Sequence, residues 1–253
     1  MKNFLERYSR TILLENVDFE GQERISKAKI LIVGAGGISS SIIPILVASG
    51  IGEIIIWEGD SLEISNLQRQ FIYKETDISK LKVDLTMQFA NELNSSVKIT
   101  PIPKMLTQET LEEFKNTASE VQGIIDGTDN FASRVLANGV AISLKIPFFT
   151  GSAIGFTGHV YSFAGFKSKN PCYSCLFGAD IETFVDKKTC ANSGVLPSMP
   201  AIIGSIIAQN LLMFVIFQNL DFSKFILVDF YKEKYFKEII IKKDLTCKIC
   251  SQN

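Results

Sequence analysis

The chain has 253 residues, of which 46% are hydrophobic and 21% charged, so it can bury the core of one large α/β domain. Its 26 basic and 27 acidic side chains give a formal net charge of -1, which provides no electrostatic basis for binding nucleic acid. The N-terminal segment mixes charged and apolar residues without an apolar core, so we expect no secretory signal and a cytoplasmic location.

The first part of the chain alternates helical segments with short apolar runs. Residues 1–28 are predicted to be helical, and residues 29–33 (KILIV) form a strand that leads directly into glycines. A helix over 38–50 and a second buried strand over 53–57 (EIIIW) follow. Strand, glycine turn, helix and strand in this order are typical of the start of a doubly wound, Rossmann-like sheet.

The later elements favour a mixed sheet with helices on both faces. A helix is predicted over residues 77–93. Further strands are predicted over residues 97–102, 122–125, 147–150, 159–163, 225–229 and 235–241. Because the second half is richer in hairpin-like strands, we expect some of them to pair antiparallel.

One long stretch, residues 189–220, contains no charged side chain and raises the question of a membrane span. The amides of Gln209 and Asn210 stand in its middle, where lipid would leave them without partners. Two prolines directly before the most apolar part suit the start of a helix. We therefore expect a buried helix over 201–217, at a subunit interface, and no membrane segment.

A glycine turn and an acidic pair point to a nucleotide. Gly34, Gly36 and Gly37 follow the first strand, where glycine lets the backbone approach a phosphate at a helix N-terminus. Glu58 and Asp60 come about 22–26 residues further on, at the end of the second strand, where an acid binds ribose hydroxyls. These residues predict a nucleotide-binding domain, and a dehydrogenase would fit them equally well.

A group of polar residues moves this interpretation towards ATP. Parallel-sheet geometry brings to the same edge Ser65, Asn66, Arg69, Lys82, Asp129 and Asn130. Arg69 and Lys82 can neutralise phosphate oxygens, and Asp129 can hold a Mg²⁺ ion between them. Hydride transfer requires neither two cations nor a metal-binding acid beside its cofactor, whereas cleavage of a triphosphate requires both.

Four of the five cysteines lie in two short motifs, and the fifth stands apart from them. Cys172 with Cys175 and Cys247 with Cys250 form two C-x-x-C pairs, the usual ligands of a tetrahedral Zn²⁺ site. The pairs are about 70 residues apart, so the metal would tie the C-terminal segment back onto the domain. Cys190 follows two lysines, which favour its thiolate form, and is a candidate reactive residue or an incidental loop thiol.

Several of these segments together closely resemble the ThiF/MoeB/HesA family, the bacterial relatives of ubiquitin-activating enzymes. They are RYSRT (7–11), FEGQERI (19–25), KILIVGAGGI (29–38), EISNLQRQF (63–71) and GTDN (127–130), and the resemblance covers nearly the whole chain in order. It implies one adenylation domain over residues 1–253. The nucleotide-binding half would cover about 1–150, and the carrier-docking and zinc half about 151–253.

The resemblance also implies roles for individual residues. Gly37 would line the nucleotide site, and Glu58 stands where members usually have a ribose-binding aspartate. Ser65, Asn66 and Arg69 would contact ATP. Lys82 would bind phosphate and Asp129 would bind Mg²⁺. In the family, the arginine that corresponds to Arg10 reaches the ATP site of the neighbouring subunit in a homodimer. A cysteine that corresponds to Cys190 forms a covalent link with the activated carrier in some members.

The implied activity is adenylation of the C-terminal Gly-Gly carboxylate of a ubiquitin-like sulfur carrier protein, as in thiamin or molybdopterin biosynthesis. Because only three residues follow Cys250, we expect sulfur to come from a separate donor protein. The alternatives are adenylation of a peptide precursor or a modified tRNA base, a nucleotide-binding scaffold without chemistry, and an NAD-dependent oxidoreductase. The serines at 39–41 depart from the family pattern. We expect the single histidine, His159, to be a packed core residue.

Overall fold

The computed structural model describes residues 2–179, 193–232 and 235–251. The helices of these residues are α1 (Lys2–Ile12), α2 (Asp18–Lys27), α3 (Ser39–Ala48), α4 (Lys82–Leu93), α5 (Leu111–Thr117), α6 (Phe131–Ser143), α7 (Tyr173–Phe177) and α8 (Ser198–Phe217). The strands are β1 (Lys29–Val33), β2 (Glu53–Trp57), β3 (Lys98–Ile102), β4 (Gly123–Asp126), β5 (Phe148–Ile154), β6 (Thr157–Phe163), β7 (Lys224–Asp229) and β8 (Phe236–Ile240).

All eight strands form one sheet in the order β3-β2-β1-β4-β5-β6-β7-β8. The five strands from β3 to β5 are parallel, whereas β6, β7 and β8 each pair antiparallel with the preceding neighbour. Parallel neighbours need crossover connections, and antiparallel neighbours can be joined by a short turn such as the one between β5 and β6. The predicted mixed sheet is therefore confirmed.

Some predicted element boundaries were wrong for local reasons. The helix expected over 1–28 is divided into α1 and α2 by turns at residues 13–17. The helix expected over 77–93 begins only at Lys82, because Ser79 has a φ of +73° that a right-handed helix cannot contain. Helices α5, α6 and α7 were not predicted.

Helix α8 is a core helix of the fold. Its residues Ile203, Ile207 and Leu211 have no exposed surface, and the helix packs on α3, β5 and β6. The expected burial of the apolar stretch is thereby confirmed, although the helix begins at Ser198 and not at residue 201. Among the residues that the structure describes, α8 alone is long and apolar enough to cross a membrane. One such helix is weak evidence for a membrane span, because a buried core helix passes the same test.

Gly204 lets α8 approach α3, because a Cβ atom there would overlap the carbonyl oxygen of Ile38. We predict that Gly204→Ala lowers the free energy of unfolding by about 1–3 kcal/mol, the usual cost of overpacking a core. Gly139→Ala is the matched control, since Gly139 lies in α6 with no atom within 4 Å of the added Cβ. There the change should raise stability by about 0.5–1 kcal/mol. Chemical denaturation measures both, and equal effects would contradict the packing described.

Candidate active site

A cavity of about 450 Å³ lies where the carboxyl ends of β1, β2 and β4 meet. Ligands of doubly wound sheets bind in such a crevice. The structure brings together in its wall ten of the residues singled out in the sequence, namely Gly34, Gly36, Gly37, Glu58, Asp60, Asn66, Arg69, Lys82, Asp129 and Asn130.

Two other predicted residues, Ser65 and Arg10, lie outside the cavity wall. The Ser65 side chain is turned to Glu63, with its Oγ 3.3 Å from a carboxylate oxygen, and Ser65 does not line the cavity. Its main-chain oxygen instead accepts a hydrogen bond of 3.0 Å from Arg69, so it orients a cavity residue. Arg10 lies on the last turn of α1, outside the cavity wall. Cys190 lies outside the described residues.

Two serines hold the glycine turn in place. Gly34 has a φ of +84°, a conformation that side chains disfavour, and a Cβ there would press on Thr128. The hydroxyl of Ser39 donates to the oxygen of Gly34 at 2.6 Å, and that of Ser40 donates to the oxygen of Gly36 at 3.0 Å. The serines that depart from the family pattern thus satisfy carbonyl groups of the turn.

Glu58 fixes the same turn from the other side. Its side chain is buried, and one carboxylate oxygen accepts from the amide of Ala35 at 2.7 Å. The other oxygen accepts from the amide of Asp60, also at 2.7 Å. One oxygen therefore joins β2 to the glycine turn and the other fixes the loop after β2, and a ribose hydroxyl would have to use their remaining lone pairs.

Arg69 and Lys82 are two of the basic residues that line the cavity. Lys82 begins α4 with a side chain only 7% exposed, and its Nζ lies 3.4 Å from the carboxylate of Asp60. Arg69 packs against Gly37, where an added Cβ would meet its aliphatic carbons. Asp129 is exposed to the cavity, and Asn130 caps α6 by accepting from the amide of Ser133 at 3.1 Å. This arrangement can hold a polyanion together with a cation.

A buried ion pair that the sequence analysis missed lies under the site. The carboxylate of Asp126, at the end of β4, has no exposed surface and accepts from Arg134 Nε at 2.9 Å. The hydroxyls of Thr128 and Thr150 donate to it at 2.7 and 2.9 Å. Burial raises the pKa of Asp126, while Arg134 and the two hydroxyls oppose that rise. Burial alone would lower the pKa of Arg134, but the charge of Asp126, together with Tyr173 and the hydrogen bonds to both residues, raises that pKa.

The far wall of the cavity belongs to β5 and β6. Ser152 and His159 face each other across these strands, with Oγ and Nδ1 3.2 Å apart. The ring of His159 stacks on Tyr161, and burial lowers the pKa of His159, so the ring is neutral at neutral pH. The expectation that His159 is simply a core residue was wrong, since it also lines the cavity.

The four cysteines of the C-x-x-C pairs form one cluster, with all Sγ atoms within 4.8 Å of one another. The Sγ of Cys175 is 3.4 Å from that of Cys250, and the Sγ of Cys172 is 3.7 Å from that of Cys247. Tetrahedral Zn²⁺ with bonds of about 2.3 Å separates its sulfurs by about 3.8 Å, so the donor set fits the ion. Burial and the neighbouring thiols raise the pKa of Cys172 to about 12, which a bound cation would reverse.

The ThiF family matches residues 8–249, and the chain belongs to this family. It is 31% identical to the sulfur carrier protein adenylyltransferase of Thermus thermophilus, over 98% of this chain and 92% of that protein. It is also 31% identical to the adenylyltransferase and sulfurtransferase MOCS3 of Aedes aegypti, over 99% of this chain but 56% of the relative. The crystal structure of E. coli MccB with succinimide shares the fold, with a TM-score of 0.81, 21% identity and coverage of 96% and 73%.

The contacts of Glu58 predict the effect of a change that keeps its shape. Glu58→Gln turns an amide donor towards one of the two backbone N–H groups, so we expect a loss of about 1–3 kcal/mol in unfolding free energy. Glu75→Gln is the control, because Glu75 is exposed, and should change stability by less than about 0.5 kcal/mol. Urea denaturation measures both variants. An unchanged midpoint for Glu58→Gln would show that the buried contacts do not hold the turn.

Proposed function

We propose that this protein uses ATP to adenylate the C-terminal carboxylate of a small ubiquitin-like sulfur carrier protein ending in Gly-Gly. The observation that carries the proposal is the meeting of the glycine turn, Arg69, Lys82 and Asp129 in one cavity. The relative from Thermus thermophilus, named a sulfur carrier protein adenylyltransferase, supports it over nearly the full length of both chains.

The residues suit a triphosphate that is cleaved between its α and β phosphates. The glycine turn and the start of α3 accommodate phosphate oxygens, and Arg69 and Lys82 offset the charge that develops on them. Asp129, exposed in the wall, is placed for a cation. Asp129 would hold Mg²⁺, which would supply positive charge to offset that of the phosphate groups.

The reaction needs alignment more than proton transfer. A carboxylate oxygen of the carrier attacks the α-phosphorus, the bond to the bridging oxygen breaks, and pyrophosphate leaves with that electron pair. The carboxylate is already ionised at neutral pH, so no general base is required. The protein's part is to hold the two reactants in line and to balance phosphate charge.

The acceptor would enter beside β5 and β6. Ser152 and His159 supply polar groups there, and the neighbouring wall residues Ile154, Tyr161 and Phe177 are aliphatic or aromatic. A Gly-Gly end has no side chains and extends about 3.4 Å per residue, so two to four residues can pass along such a wall. Residues from about 151 onward would then form the carrier-docking and zinc half, and residues up to about 150 the nucleotide-binding half.

A homodimer in which Arg10 acts across the interface belongs to the same proposal. Helix α1 and the turns after it expose Leu5, Leu13 and Leu14, which are 43%, 72% and 56% exposed. These apolar residues flank Arg10 along the chain and would be covered by a second subunit. We further propose that the enzyme works in the cytoplasm.

Sulfur transfer would follow adenylation. The cysteines of the described residues all lie in the four-cysteine cluster, so none of them is available to carry sulfur once a metal is bound. A separate donor protein would supply the sulfur, and Cys190 would be the thiol of this chain that links to the activated carrier. The cluster itself would hold a structural Zn²⁺ ion that ties the C-terminal segment to the domain.

The metal-binding role assigned to Asp129 gives the test of the activity. Wild-type protein should catalyse Mg²⁺-dependent exchange between ATP and pyrophosphate only with a carrier that keeps its final Gly-Gly. Asp129→Ala should reduce this exchange by about 10²–10³-fold, the usual loss when one charge-stabilising group is removed.

Asp84→Ala, an exposed aspartate of α4, is the matched control and should exchange at the wild-type rate. Full exchange by Asp129→Ala would contradict the site. Exchange with a short peptide but with no carrier would favour the alternative of a peptide precursor.

The cysteine cluster predicts tightly bound zinc at about one ion per chain. Cys250→Ser should abolish this stoichiometry and lower the melting temperature, since metal binding free energy contributes directly to folding. Metal analysis of protein purified without chelator measures the content, and Cys190→Ser, outside the two C-x-x-C pairs, should keep it. A structural metal would be refuted if wild-type protein contained no zinc and melted at the same temperature as Cys250→Ser.

A further inference from the structure

One guanidinium, that of Arg134, joins three segments at the floor of the cavity, which Arg134 helps to line. Arg134 projects from α6 with a side chain 13% exposed, and its Nε donates to Asp126 at 2.9 Å. Its Nη2 donates to the main-chain oxygen of Thr128 and, at 3.0 Å, to that of Gly151. The phenol of Tyr173 is a further hydrogen-bond partner. The planar fork of arginine can serve acceptors in several directions, which the ammonium group of lysine cannot reproduce.

These contacts lie where the sheet itself stops joining the two strands. The ladder between β4 and β5 runs in register from Ile124 with Phe148 to its last pair, Asp126 with Thr150. Beyond that pair the ladder ends: one chain enters the loop with Thr128, and the other continues in β5 through Gly151. Where backbone pairing has ended, the hydrogen bonds of Arg134 therefore connect the loop after β4 to β5 and fix their distance at the floor of the cavity.

Each anchored residue directly precedes a residue of the cavity wall. Thr128 precedes Asp129 on the nucleotide side, and Gly151 precedes Ser152 on the acceptor side. A shift of either carbonyl would move one of these side chains relative to the other. For a reaction that depends on in-line alignment, a misplacement of about 1 Å costs about 10²-fold in rate.

We propose that Arg134 is a positioning residue, which holds the nucleotide side and the acceptor side of the cavity in register for adenylation. This inference rests on the proposed function. Both charges of a buried ion pair can often be removed together without loss of stability. If the role of Arg134 were purely structural, removing both charges would therefore restore activity together with stability.

The test separates alignment from stability by removing the charge of one partner or of both. Arg134→Gln leaves Asp126 buried without its countercharge and should lower the denaturation midpoint. The double variant Asp126→Asn/Arg134→Gln removes both charges and should recover most of that stability. Arg24→Lys is the control, because Arg24 also donates to a main-chain oxygen, that of Ile216 at 2.6 Å, but outside the cavity.

Each protein is then assayed for carrier-stimulated ATP–pyrophosphate exchange and, separately, for ATP binding. We expect the double variant to bind ATP nearly as well as wild type while its kcat stays about 10²-fold lower, whereas Arg24→Lys keeps its kcat. A kcat that returns together with stability would overturn the proposal, and so would a double variant that no longer folds. Absence of exchange in the wild type would instead refute the proposed function.

Discussion

A carboxylate buried at the carboxyl end of β4 sets the conditions for the rest of the site. Asp126 has no exposed surface, and an isolated charge in such a position would be very costly. Its donors come from the loop after β4, from β5 and from α6, in the form of Thr128, Thr150 and Arg134. Satisfying one carboxylate therefore fixes three segments relative to each other, and these segments carry the floor of the cavity.

Helix α6 extends this constraint to the cysteine cluster. Arg134, Asn138 and Ile142 are spaced four residues apart and so lie along one face of the helix. The side chain of Asn138 accepts from the amide of Tyr173 at 3.0 Å, and Ile142 packs on the cysteines. A metal in the cluster would thus brace the same helix that supports the cavity. The cavity and the cysteine cluster are thus connected through α6, although their residues are far apart in sequence.

Much of the fold and site could be predicted because the relevant signals are local. The run KILIVGAGG gives a strand and a turn within a few residues, and parallel-strand geometry alone predicts that residues after different strands share one edge. The paired C-x-x-C motifs predict the cluster in the same way, since their ligand spacing is short.

What could not be predicted depends on tertiary contacts. Ser39 and Ser40 looked like departures until the structure showed their hydroxyls on carbonyls of the glycine turn. The partners of Arg134 lie on β4 and the loop after it, on β5 and on α7. One signal was nevertheless available, since Arg134 is the one charged residue in the helix FASRVLANGVAIS. His159 lines the cavity because of its pairing with Ser152 across a hairpin, which no spacing in the sequence reveals.

In the proposed reaction, a carboxylate oxygen of the carrier attacks the α-phosphorus of ATP in this cavity. The most direct measurement uses a carrier whose C-terminal carboxylate is labelled with heavy oxygen, followed by cleavage of the product with hydroxylamine and mass spectrometry of the released AMP. We predict that the AMP carries one labelled oxygen, because the attacking atom stays on phosphorus. Unlabelled AMP, formed at a rate that does not depend on the carrier, would contradict it.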